Sequence, residues 1–515
     1  MRKLAIFLTT IALSSVGFAT SPANAADEVT CSGGGSFLVS ENGGVYLGNS
    51  CIGTAIIPEN ATYIDNNAFR YSGVKTVTFA DNSQVLSIGI SAFEGATALE
   101  RIELPNSVVS IGTSAFWLTY ALKSIAIPVN LTNLAIDAFY CSGVTNFQIA
   151  SGNNFYSSSG GVLFNKNKTT LIRFPPIPTN EYVVPNGVTA ISPLAFAYVP
   201  FLDAPKLSTI KLPSTLTEIG AGAFASTTSL TSIEIPDSVT IIGNYAFAFS
   251  GLQSLTLPSG VVSIEDTAFD NSPITKFYFL RSMSAYPSAA DPLPFEGLTE
   301  IAPKIFVPVG AMNYGAIGST WKGMTVDIGF RATFLGNGST SGTPPQQIMR
   351  GGIDTFLVPG NPGVLKRTGY TFAGWNSAAN GKGTSFAADA SKAFDGEDLN
   401  FYAKWIKNAE ATTKPSISGT ATSTATGKNK LTAAKGKWTG TPAPTYAYQW
   451  YSCSTQVKAV TQTIPASCKA ISRATATTLA VTKTFKNQYL AVVVKGTVAG
   501  TPATQWLSKS TGKVK

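Results

Sequence analysis

The sequence contains no histidine, and only 13% of its 515 residues are charged. The first absence excludes Ser-His-Asp and Cys-His catalytic arrangements, and it excludes metal sites with histidine ligands. Cysteine is also scarce, and none of the five cysteines forms a C-x-x-C pair, which excludes zinc ribbons and thioredoxin-like redox sites. The sequence also lacks G-x-S-x-G, P-loop and EF-hand patterns. We therefore predict a protein that is not an enzyme and that carries no cofactor or metal.

A long hydrophobic run occurs only at the N-terminus. Arg2 and Lys3 precede the apolar run Leu4–Val16, and Ala-Asn-Ala at residues 23–25 fits the small-residue cleavage pattern of exported proteins. A transmembrane anchor is the alternative, but the run is short and no second apolar stretch of about 18 residues follows it. We expect residues 1–25 to be a signal peptide, and the protein to be secreted without a transmembrane anchor.

Export places the cysteines in an oxidising compartment, where disulfides form. Cys31 and Cys51 flank a Gly-rich segment, and this clustering predicts a bridge that staples an N-terminal cap. Cys453 and Cys468 predict a second bridge, whose loop closure corresponds to about 3 kcal/mol in the chain-entropy model. Cys141 occupies a repeat position that holds an aromatic residue in other repeats, so a buried thiol is preferred over a functional one.

An internal period dominates the sequence. The dipeptide Ala-Phe recurs at steps of 22 to 28 residues, with one longer step of 57 residues. Its phenylalanines are Phe69, Phe93, Phe116, Phe139, Phe196, Phe224, Phe247 and Phe269. Such a period indicates a solenoid, because each unit is too small to bury its own apolar face and must stack on its neighbours. Alternating apolar and polar residues before a proline, as in Leu252–Pro258, predict one strand in each unit.

The repeat resembles the BspA-like leucine-rich repeats of bacterial surface proteins over about residues 52–329. The shared pattern is I-P-x-x-V-x-x-I-G-x-x-A-F-x-x-x-x-x-L-x-x-I-x-I. The longer step contains two alternating runs, Gly160–Lys166 and Thr170–Pro175, which predict a β-hairpin inserted near residues 150–183. We therefore expect a capped leucine-rich-repeat solenoid over residues 26–329.

Alternate residues of the predicted strands face outward from the solenoid. Most of them are small and polar, as are Thr76 and Thr78. The candidate ligand face consists of the larger residues Arg101, Glu103, Asn146, Gln148, Lys211, Glu234, Lys276 and Tyr278. Only Arg101 and Tyr278 belong to the residue types that dominate interface hot spots. We expect an extracellular protein or glycan ligand here, and weak contacts or a scaffold without a ligand are the alternatives.

Residues 330–410 combine Gly- and Asn-rich turns with aromatic strands. The runs G-Y-T-F-A-G-W at 369–375 and L-N-F-Y-A-K-W at 399–405 resemble the internalin B-repeat family, also called the Listeria-Bacteroides repeat. The resemblance implies a small extracellular β domain. Trp375 and Trp405 are candidates for stacking on sugars, but we prefer the interpretation that they fill a small core.

Residues 411–515 resemble bacterial immunoglobulin-like repeats. The resemblance rests on W-T-G-T-P at 438–442 and Y-A-Y-Q-W-Y-S-C at 446–453, and it implies a β-sandwich. In antibody-type domains the disulfide joins the two sheets, whereas Cys453 and Cys468 are close enough in sequence to clip one loop or hairpin. The whole chain is thus predicted to be mainly β: a leucine-rich-repeat solenoid, then a small β module, then an Ig-like β-sandwich.

Charge is distributed very unevenly along the chain. Residues 26–410 contain 21 Lys or Arg and 28 Asp or Glu, whereas residues 411–515 contain 14 Lys or Arg and no acidic residue. A field of one sign attracts polyanions in a salt-dependent way. Arg473 is the only arginine of this segment, and a lysine-rich surface suits diffuse attraction better than bidentate recognition. We predict that the last domain tethers the protein to an anionic polymer of the cell envelope, through Lys428, Lys430, Lys435 and Lys437.

The alternative is that these lysines form a solvated surface that only aids solubility. Export also argues against intracellular nucleic acid as a partner. Two functions follow from the sequence. The first is a binding or adhesion protein held at the cell surface, and the second is a structural spacer of the envelope without a specific ligand.

Overall fold

The computed structural model describes residues 26–515 except 198–206, 281–294, 296, 299–302, 309–310, 312–313, 315, 322, 352–353 and 362–364. The predicted signal peptide lies outside the described residues. Two short 3-10 turns, Gly48–Ser50 and Lys483–Phe485, occur in the described part of the chain, which contains no α-helix. Accordingly, none of the described residues form a helix with the length and apolarity of a membrane span.

The chain divides into two compact units. The first comprises residues up to Phe277 together with residues 283–305 and 312–326, and the second comprises residues 278–282, 306–311 and 327–515. The first unit is a β-solenoid of about 11 turns, which confirms the predicted fold class.

The first half of the solenoid combines an antiparallel cap with parallel ladders. Its strands are β1 (Asp27–Thr30), β2 (Ser36–Val39), β3 (Gly44–Tyr46), β4 (Ile52–Ile57), β5 (Tyr63–Ile64), β6 (Gly73–Phe79), β7 (Ser87–Ile88), β8 (Arg101–Ile102), β9 (Ser110–Ile111), β10 (Ser124–Ile127), β11 (Asn133–Leu134) and β12 (Asn146–Ile149). One sheet has the order β1-β2-β3-β5-β7-β9-β11, antiparallel in the cap and parallel from β3 onward. The same turns also contribute strands to two smaller parallel sheets. One has the order β4-β6-β8, and the other consists of β10 and β12.

The register of the long sheet explains the repeated isoleucine of the sequence pattern. Ile64, Ile88 and Ile111 occupy equivalent positions in successive strands, and all three are buried. The disulfide between Cys31 and Cys51 lies in the cap, which confirms the predicted pairing. Both of its cysteines belong to the core of this half.

The second half repeats the layout of the first. Its strands and those that follow it are β13 (Tyr156–Ser159), β14 (Val162–Asn165), β15 (Thr170–Arg173), β16 (Glu181–Val183), β17 (Ala190–Ile191), β18 (Thr209–Lys211), β19 (Glu218–Ile219), β20 (Ile241–Ile242), β21 (Ser254–Leu257), β22 (Ser263–Ile264), β23 (Lys276–Phe279), β24 (Lys304–Pro308) and β25 (Thr320–Trp321). A second seven-stranded sheet has the order β13-β14-β15-β17-β19-β20-β22. Its first three strands are antiparallel and the rest are parallel, as in the first sheet.

The hairpin formed by β14 and β15 lies where the sequence predicts an insertion. Asn165 stabilises its turn: Oδ1 accepts hydrogen bonds from the backbone N–H groups of Thr169 (2.8 Å) and Thr170 (3.0 Å). Because β15 pairs with β17, the hairpin begins the second sheet of the solenoid.

The phenylalanines of the Ala-Phe pairs, together with Phe174 and Phe295, form two columns in the core. In the first column, ring centroids of Phe69, Phe93, Phe116 and Phe139 are 5.1–5.4 Å apart with nearly parallel planes. The second column consists of Phe174, Phe196, Phe224, Phe247, Phe269 and Phe295 at spacings of 4.9–5.9 Å. The backbone follows the same order, since the N–H of one phenylalanine donates to the alanine carbonyl of the next turn, as from Phe93 to Ala115 (2.8 Å).

Left-handed residues flank these phenylalanines. In the turn of Phe93, Ser91 and Gly95 have φ values of 53° and 69°. The same two positions recur in other turns, where most of them hold residues other than glycine, such as Leu118. Each turn thus bends twice around its buried ring, and glycine is preferred at Gly95 because an added Cβ would lie 2.1 Å from Tyr71.

The second unit begins with a small β domain built on aromatic residues. Its strands are β26 (Met324–Leu335), β27 (Ile348–Gly351), β28 (Thr355–Leu357), β29 (Tyr370–Asn376), β30 (Ser385–Phe386), β31 (Ser391–Ala393) and β32 (Leu399–Lys407). Strand β32 lies between β26, to which it is parallel, and β29, to which it is antiparallel. The fully buried Trp375 packs against Phe334 and Phe372 in the core.

Residues 410–507 contribute antiparallel strands. They are β33 (Glu410–Thr413), β34 (Ser416–Gly419), β35 (Lys430–Ala434), β36 (Lys437–Thr439), β37 (Thr445–Cys453), β38 (Cys468–Ala470), β39 (Thr478–Ala480), β40 (Tyr489–Thr497) and β41 (Thr504–Leu507). The sheets β34-β35-β39 and β38-β37-β40-β41 share a core around Trp450, which is the arrangement of a β-sandwich. The immunoglobulin-like assignment itself stays a prediction.

The second disulfide joins Cys453 and Cys468, as predicted. The two cysteines lie directly opposite each other on the neighbouring strands β37 and β38 of one sheet. The bridge therefore clips a single pair of strands and does not join the two sheets of the sandwich.

Candidate functional site

The predicted ligand face of the solenoid lies on strands β8, β12 and β18. Arg101 and Glu103 are 67% and 59% exposed and form an ion pair with each other. Asn146 and Gln148 are exposed on β12, where register with β10 places them beside Ser124 and Ala126. This part of the face is accessible, but its one arginine already contacts a carboxylate.

Lys211 also has an ionic partner on the same face. Its Nζ lies 2.5 Å from Oε1 of Glu181, on the neighbouring strand β16. Our sequence reasoning missed Glu181 because β16 lies beside the inserted hairpin, outside the regular period. The exposed Val183, which is opposite Lys211 on the same strand β16, was missed for the same reason. Ile56, which is opposite Thr78 on β4, is also exposed and was also missed. The alternation of Ile52–Ile57 is the signal that would have found Ile56.

The expectation that Tyr278 faces solvent is wrong. Its side chain is only 3% exposed, and its ring stacks on Phe306 with centroids 5.1 Å apart. Arg350 lies over the ring at 5.0 Å, and the hydroxyl lies 3.5 Å from Oδ2 of Asp354. Burial raises the pKa of Tyr278 to about 12, so the hydroxyl stays protonated near neutral pH. Alternation along a strand predicts outward direction, but a later segment of the chain covers this tyrosine.

The last two residues of the predicted ligand face, Glu234 and Lys276, agree with the prediction only in part. Glu234 is exposed, but residues 231–236 form no strand, and the hydrogen bond from Gln253 N to Thr231 O is long at 3.4 Å. Partial desolvation, followed by the charge of Asp237, raises the pKa of Glu234. Lys276 is half-buried on β23.

A buried carboxylate links two turns of the solenoid. Glu94 is 3% exposed, and its Oε1 accepts hydrogen bonds from Nη2 of Arg70 (2.6 Å) and from the hydroxyl of Tyr71 (3.0 Å). The hydrogen bond to Glu94 raises the pKa of Arg70, and burial raises the pKa of Tyr71. Glu94 thus has two partners on the preceding turn and links the two turns, while Nε of Arg70 is buried without a hydrogen-bond partner. Within the described residues, no three His, Cys, Asp or Glu side chains are close enough to hold a metal ion.

The two tryptophans of the small β domain have different surroundings. Trp375 is fully buried and its indole N–H donates to the carbonyl of Pro359 (2.8 Å), so it fills the core. Trp405 is half-buried and donates to the carbonyl of Gly336 (3.1 Å).

The basic residues of 411–515 all lie at the surface: all fourteen side chains are exposed. Lys430 is on the outer face of β35 and Lys428 precedes that strand. Lys435 lies over the ring of Tyr446 at 3.9 Å, and Lys437 begins β36. No carboxylate of the segment itself neutralises this charge, because the segment contains no acidic residue.

A stack of short parallel strands with a buried ladder of isoleucine, leucine and phenylalanine defines a leucine-rich-repeat protein. Comparison with protein families refines this class. The BspA type leucine rich repeat region matches residues 45–170 and 174–290 in six copies, and the Listeria-Bacteroides repeat domain matches residues 330–404. The chain therefore carries a BspA-type leucine-rich-repeat region followed by a Listeria-Bacteroides repeat domain, as the sequence predicts.

Parts of this chain are similar to solved structures of bacterial leucine-rich-repeat proteins. The pneumococcal vaccine antigen PcpA is 24% identical, with 50% of this chain and 74% of that chain covered and a TM-score of 0.40. A leucine rich cell surface protein from Faecalibacterium prausnitzii is 22% identical, with 52% and 89% covered and a TM-score of 0.34. A leucine-rich repeat protein from Eubacterium ventriosum is 20% identical, with 59% and 94% covered and a TM-score of 0.35. No curated protein matches the chain significantly.

Proposed function

We propose that the protein is exported and retained at the bacterial cell surface. In this proposal the basic C-terminal domain binds an anionic polymer of the envelope, and the solenoid presents a face for an extracellular protein or glycan. The observation that carries the proposal is the charge of residues 411–515, where fourteen basic side chains are all exposed and no acidic residue occurs.

The electrostatics of this domain favour a polymer over a small anion. Lysines are distributed over several strands and turns, and each ammonium acts as a compact point charge. Their summed field attracts an extended polyanion over distances of about one Debye length, ~8 Å at physiological salt. Residues 26–410 carry more acidic than basic residues, so the attraction is confined to the C-terminal domain.

A second function, that of a spacer without a specific ligand, is favoured by the solenoid face itself. Arg101 and Lys211 already have carboxylate partners, and the expected aromatic anchor, Tyr278, is buried. Interfaces of high affinity usually centre on desolvated aromatic or arginine anchors. The two functions share the tether and differ only in whether the solenoid binds a ligand.

The tether is tested in the full chain by removing charge without removing a domain. Deletion after Glu410 is less suitable, since β33 begins at that residue and pairs with β36. The test variant combines Lys428→Gln, Lys430→Gln, Lys435→Gln and Lys437→Gln. The matched control removes four exposed lysines elsewhere: Lys75, Lys123, Lys366 and Lys382.

Cells that produce each variant are washed in a salt series, and released protein is measured. We expect the native chain and the control to be cell-bound at low salt and to elute at the same salt concentration. The test variant is expected to elute at clearly lower salt, because four attractive charges are lost. Identical elution of all three proteins, or recovery of the native chain in the medium, would contradict the tether.

A further inference from the structure

A cleft in the C-terminal domain separates the edges of the two sheets of the sandwich. One wall is β34 (Ser416–Gly419), which pairs with β35 at the edge of its sheet. The other wall is the segment 509–512, which follows β41, the last strand of the second sheet. The cleft has a volume of about 590 Å³. It is therefore large enough for a ligand of several heavy atoms.

Each wall of the cleft carries one lysine. Lys414 is held in place by two contacts: its Nζ donates to the carbonyl of Ala411 (3.0 Å) and lies 3.3 Å from the ring centroid of Trp506. An ammonium group has three N–H donors, so the carbonyl of Ala411 and the ring of Trp506 leave one for a ligand. Lys509 lines the opposite wall and is exposed. The two charges thus flank the same opening.

Residues with hydroxyl groups line the same cleft as the two lysines. Thr511 accepts a hydrogen bond from Leu490 N (3.1 Å), which fixes its oxygen and leaves its proton available to a ligand. Ser510 accepts from Val457 N (3.1 Å), and Ser416 lines the opposite wall. Apolar atoms of Ile417 and Val460 complete the lining. The lining thus offers positive charge, hydroxyls and hydrocarbon within one cleft.

We infer that this cleft binds a short segment of a phosphodiester-linked polyol, an inference that rests on the proposed envelope tether. The two ammonium groups contact phosphate oxygens, the hydroxyls of Ser416 and Thr511 contact polyol hydroxyls, and the apolar side chains contact the carbon chain. Lysine binds phosphate as a point charge and does not need the bidentate geometry that arginine offers to phosphate and carboxylate alike, so two separate ammonium groups match the spaced phosphates of such a chain. The cleft is the specific part of a tether whose remaining lysines act diffusely.

Gly512 allows the cleft to be filled without changing any charge. A Cβ at this position meets no atom within 4 Å, and its φ is not in the left-handed region. The substitution Gly512→Leu therefore adds a side chain to the lining with little strain. Thr432→Leu, at an exposed position on β35, is the control for an added leucine outside the cleft.

The experiment measures binding of purified poly(glycerol phosphate) to the full chain by titration calorimetry at constant ionic strength. The variants are Lys414→Gln with Lys509→Gln, the equally charged Lys483→Gln with Lys486→Gln, Gly512→Leu and Thr432→Leu; Lys483 and Lys486 are exposed and lie outside the cleft lining. We expect the first pair and Gly512→Leu to weaken binding at least ten-fold, and the other two proteins to change it less than three-fold. Unchanged thermal unfolding of each variant establishes that the fold is retained.

The outcomes separate the cleft from the tether. Equal weakening by the two lysine pairs, with no effect of Gly512→Leu, overturns the cleft while the diffuse tether stands. No binding by the native chain overturns both. Equal or tighter binding of polygalacturonate, with the same dependence on Lys414 and Lys509, overturns the phosphodiester assignment and identifies the cleft as a site for carboxylate sugars.

Discussion

At the residue scale, each core phenylalanine contributes a ring and a backbone hydrogen bond to its turn. The ring of Phe224 is fully buried between Phe196 at 4.9 Å and Phe247 at 5.3 Å. Its backbone N–H donates to the carbonyl of Ala246 (2.8 Å). A substitution of the Phe224 side chain still allows this backbone hydrogen bond. The change in the free energy of unfolding therefore measures the loss of the ring.

We predict that Phe224→Ala lowers the free energy of unfolding by about 3–5 kcal/mol, because it removes a buried ring and leaves a cavity in a closely packed column. Urea denaturation measures the change. Phe155→Ala is the control, since Phe155 is 49% exposed, and we expect it to change stability little. An unchanged denaturation midpoint for Phe224→Ala would show that the column does not stabilise the solenoid.

Two tyrosines, the half-buried Tyr182 and the buried Tyr278, make stability depend on pH. Tyr182 packs on Phe174 with centroids 4.6 Å apart, and burial raises its pKa to about 12, as it does for Tyr278. The ordinary pKa of an unfolded tyrosine is about 10. The folded state therefore holds these protons more tightly than the unfolded state, and the resulting stability is present below pH 10 and is lost between about pH 10 and 12.

Replacement of Tyr182 and Tyr278 by phenylalanine is expected to reduce this alkaline loss of stability. The measurement is the urea midpoint of the native chain and of the double variant between pH 8 and 11.5. All other side chains are the same in both proteins, so the difference between the two curves isolates the two tyrosines. Parallel curves would mean that neither hydroxyl changes its protonation on folding.

At the scale of elements, the inserted hairpin restarts the solenoid. Strands β13-β14-β15 repeat the antiparallel arrangement of the cap strands β1-β2-β3, and four parallel strands follow in each case. The phenylalanine column is divided at the same place, since Phe139 ends one stack and Phe174 begins the next. A solenoid half that begins with its own antiparallel strands covers the apolar edge that a parallel ladder would otherwise expose.

The C-terminal disulfide is an element-scale restraint on β37 and β38. We predict that Cys453→Ala with Cys468→Ala lowers the stability of this sandwich by about 3 kcal/mol, because the unfolded segment regains the entropy of an open loop. Hydrogen exchange of the backbone amides in the paired strands β37 and β40 follows the unfolding of this sandwich alone. Addition of a reductant should shift the transition of the native chain toward that of the variant and leave the variant unchanged; equal transitions without reductant would refute the prediction.

At the scale of the whole molecule, acidic and basic residues are distributed unevenly, because all acidic residues lie before residue 411. Residues 411–515 contain no acidic side chain, and the entire sequence contains no histidine. Lysine and arginine stay protonated well above pH 8, and histidine is the side chain whose ordinary pKa lies between pH 5 and 8. The positive charge of the C-terminal domain is therefore constant over this range.

Binding of the full chain to a phosphodiester polymer should accordingly vary with salt but hardly with pH. We expect the dissociation constant to change less than two-fold between pH 5.5 and 8, and to rise steeply as salt increases. Calorimetric titration measures the pH dependence at fixed ionic strength and the salt dependence at fixed pH. A strong pH dependence would show that groups other than these lysines and the arginine control binding.

The sequence by itself determined the parts of this protein that depend on short-range repetition. Each turn repeats the spacing of isoleucine, proline and phenylalanine, and neighbouring turns contact each other in sequence order, so local pattern suffices to predict the stack. The two disulfides could also be predicted from the sequence, because Cys31 and Cys51, like Cys453 and Cys468, are close along the chain. The charge of the last domain is a matter of composition alone.

Only the tertiary structure decided the features that join distant segments. Tyr278 is buried because Phe306, Arg350 and Asp354 contact it. The repeat pattern of the sequence does not predict those contacts. The cleft likewise exists because β34 and the segment after β41 approach each other across the sandwich, which brings Lys414 onto Trp506. Alternation predicts which way a side chain points from its own strand, whereas what covers it depends on contacts between segments far apart in the chain.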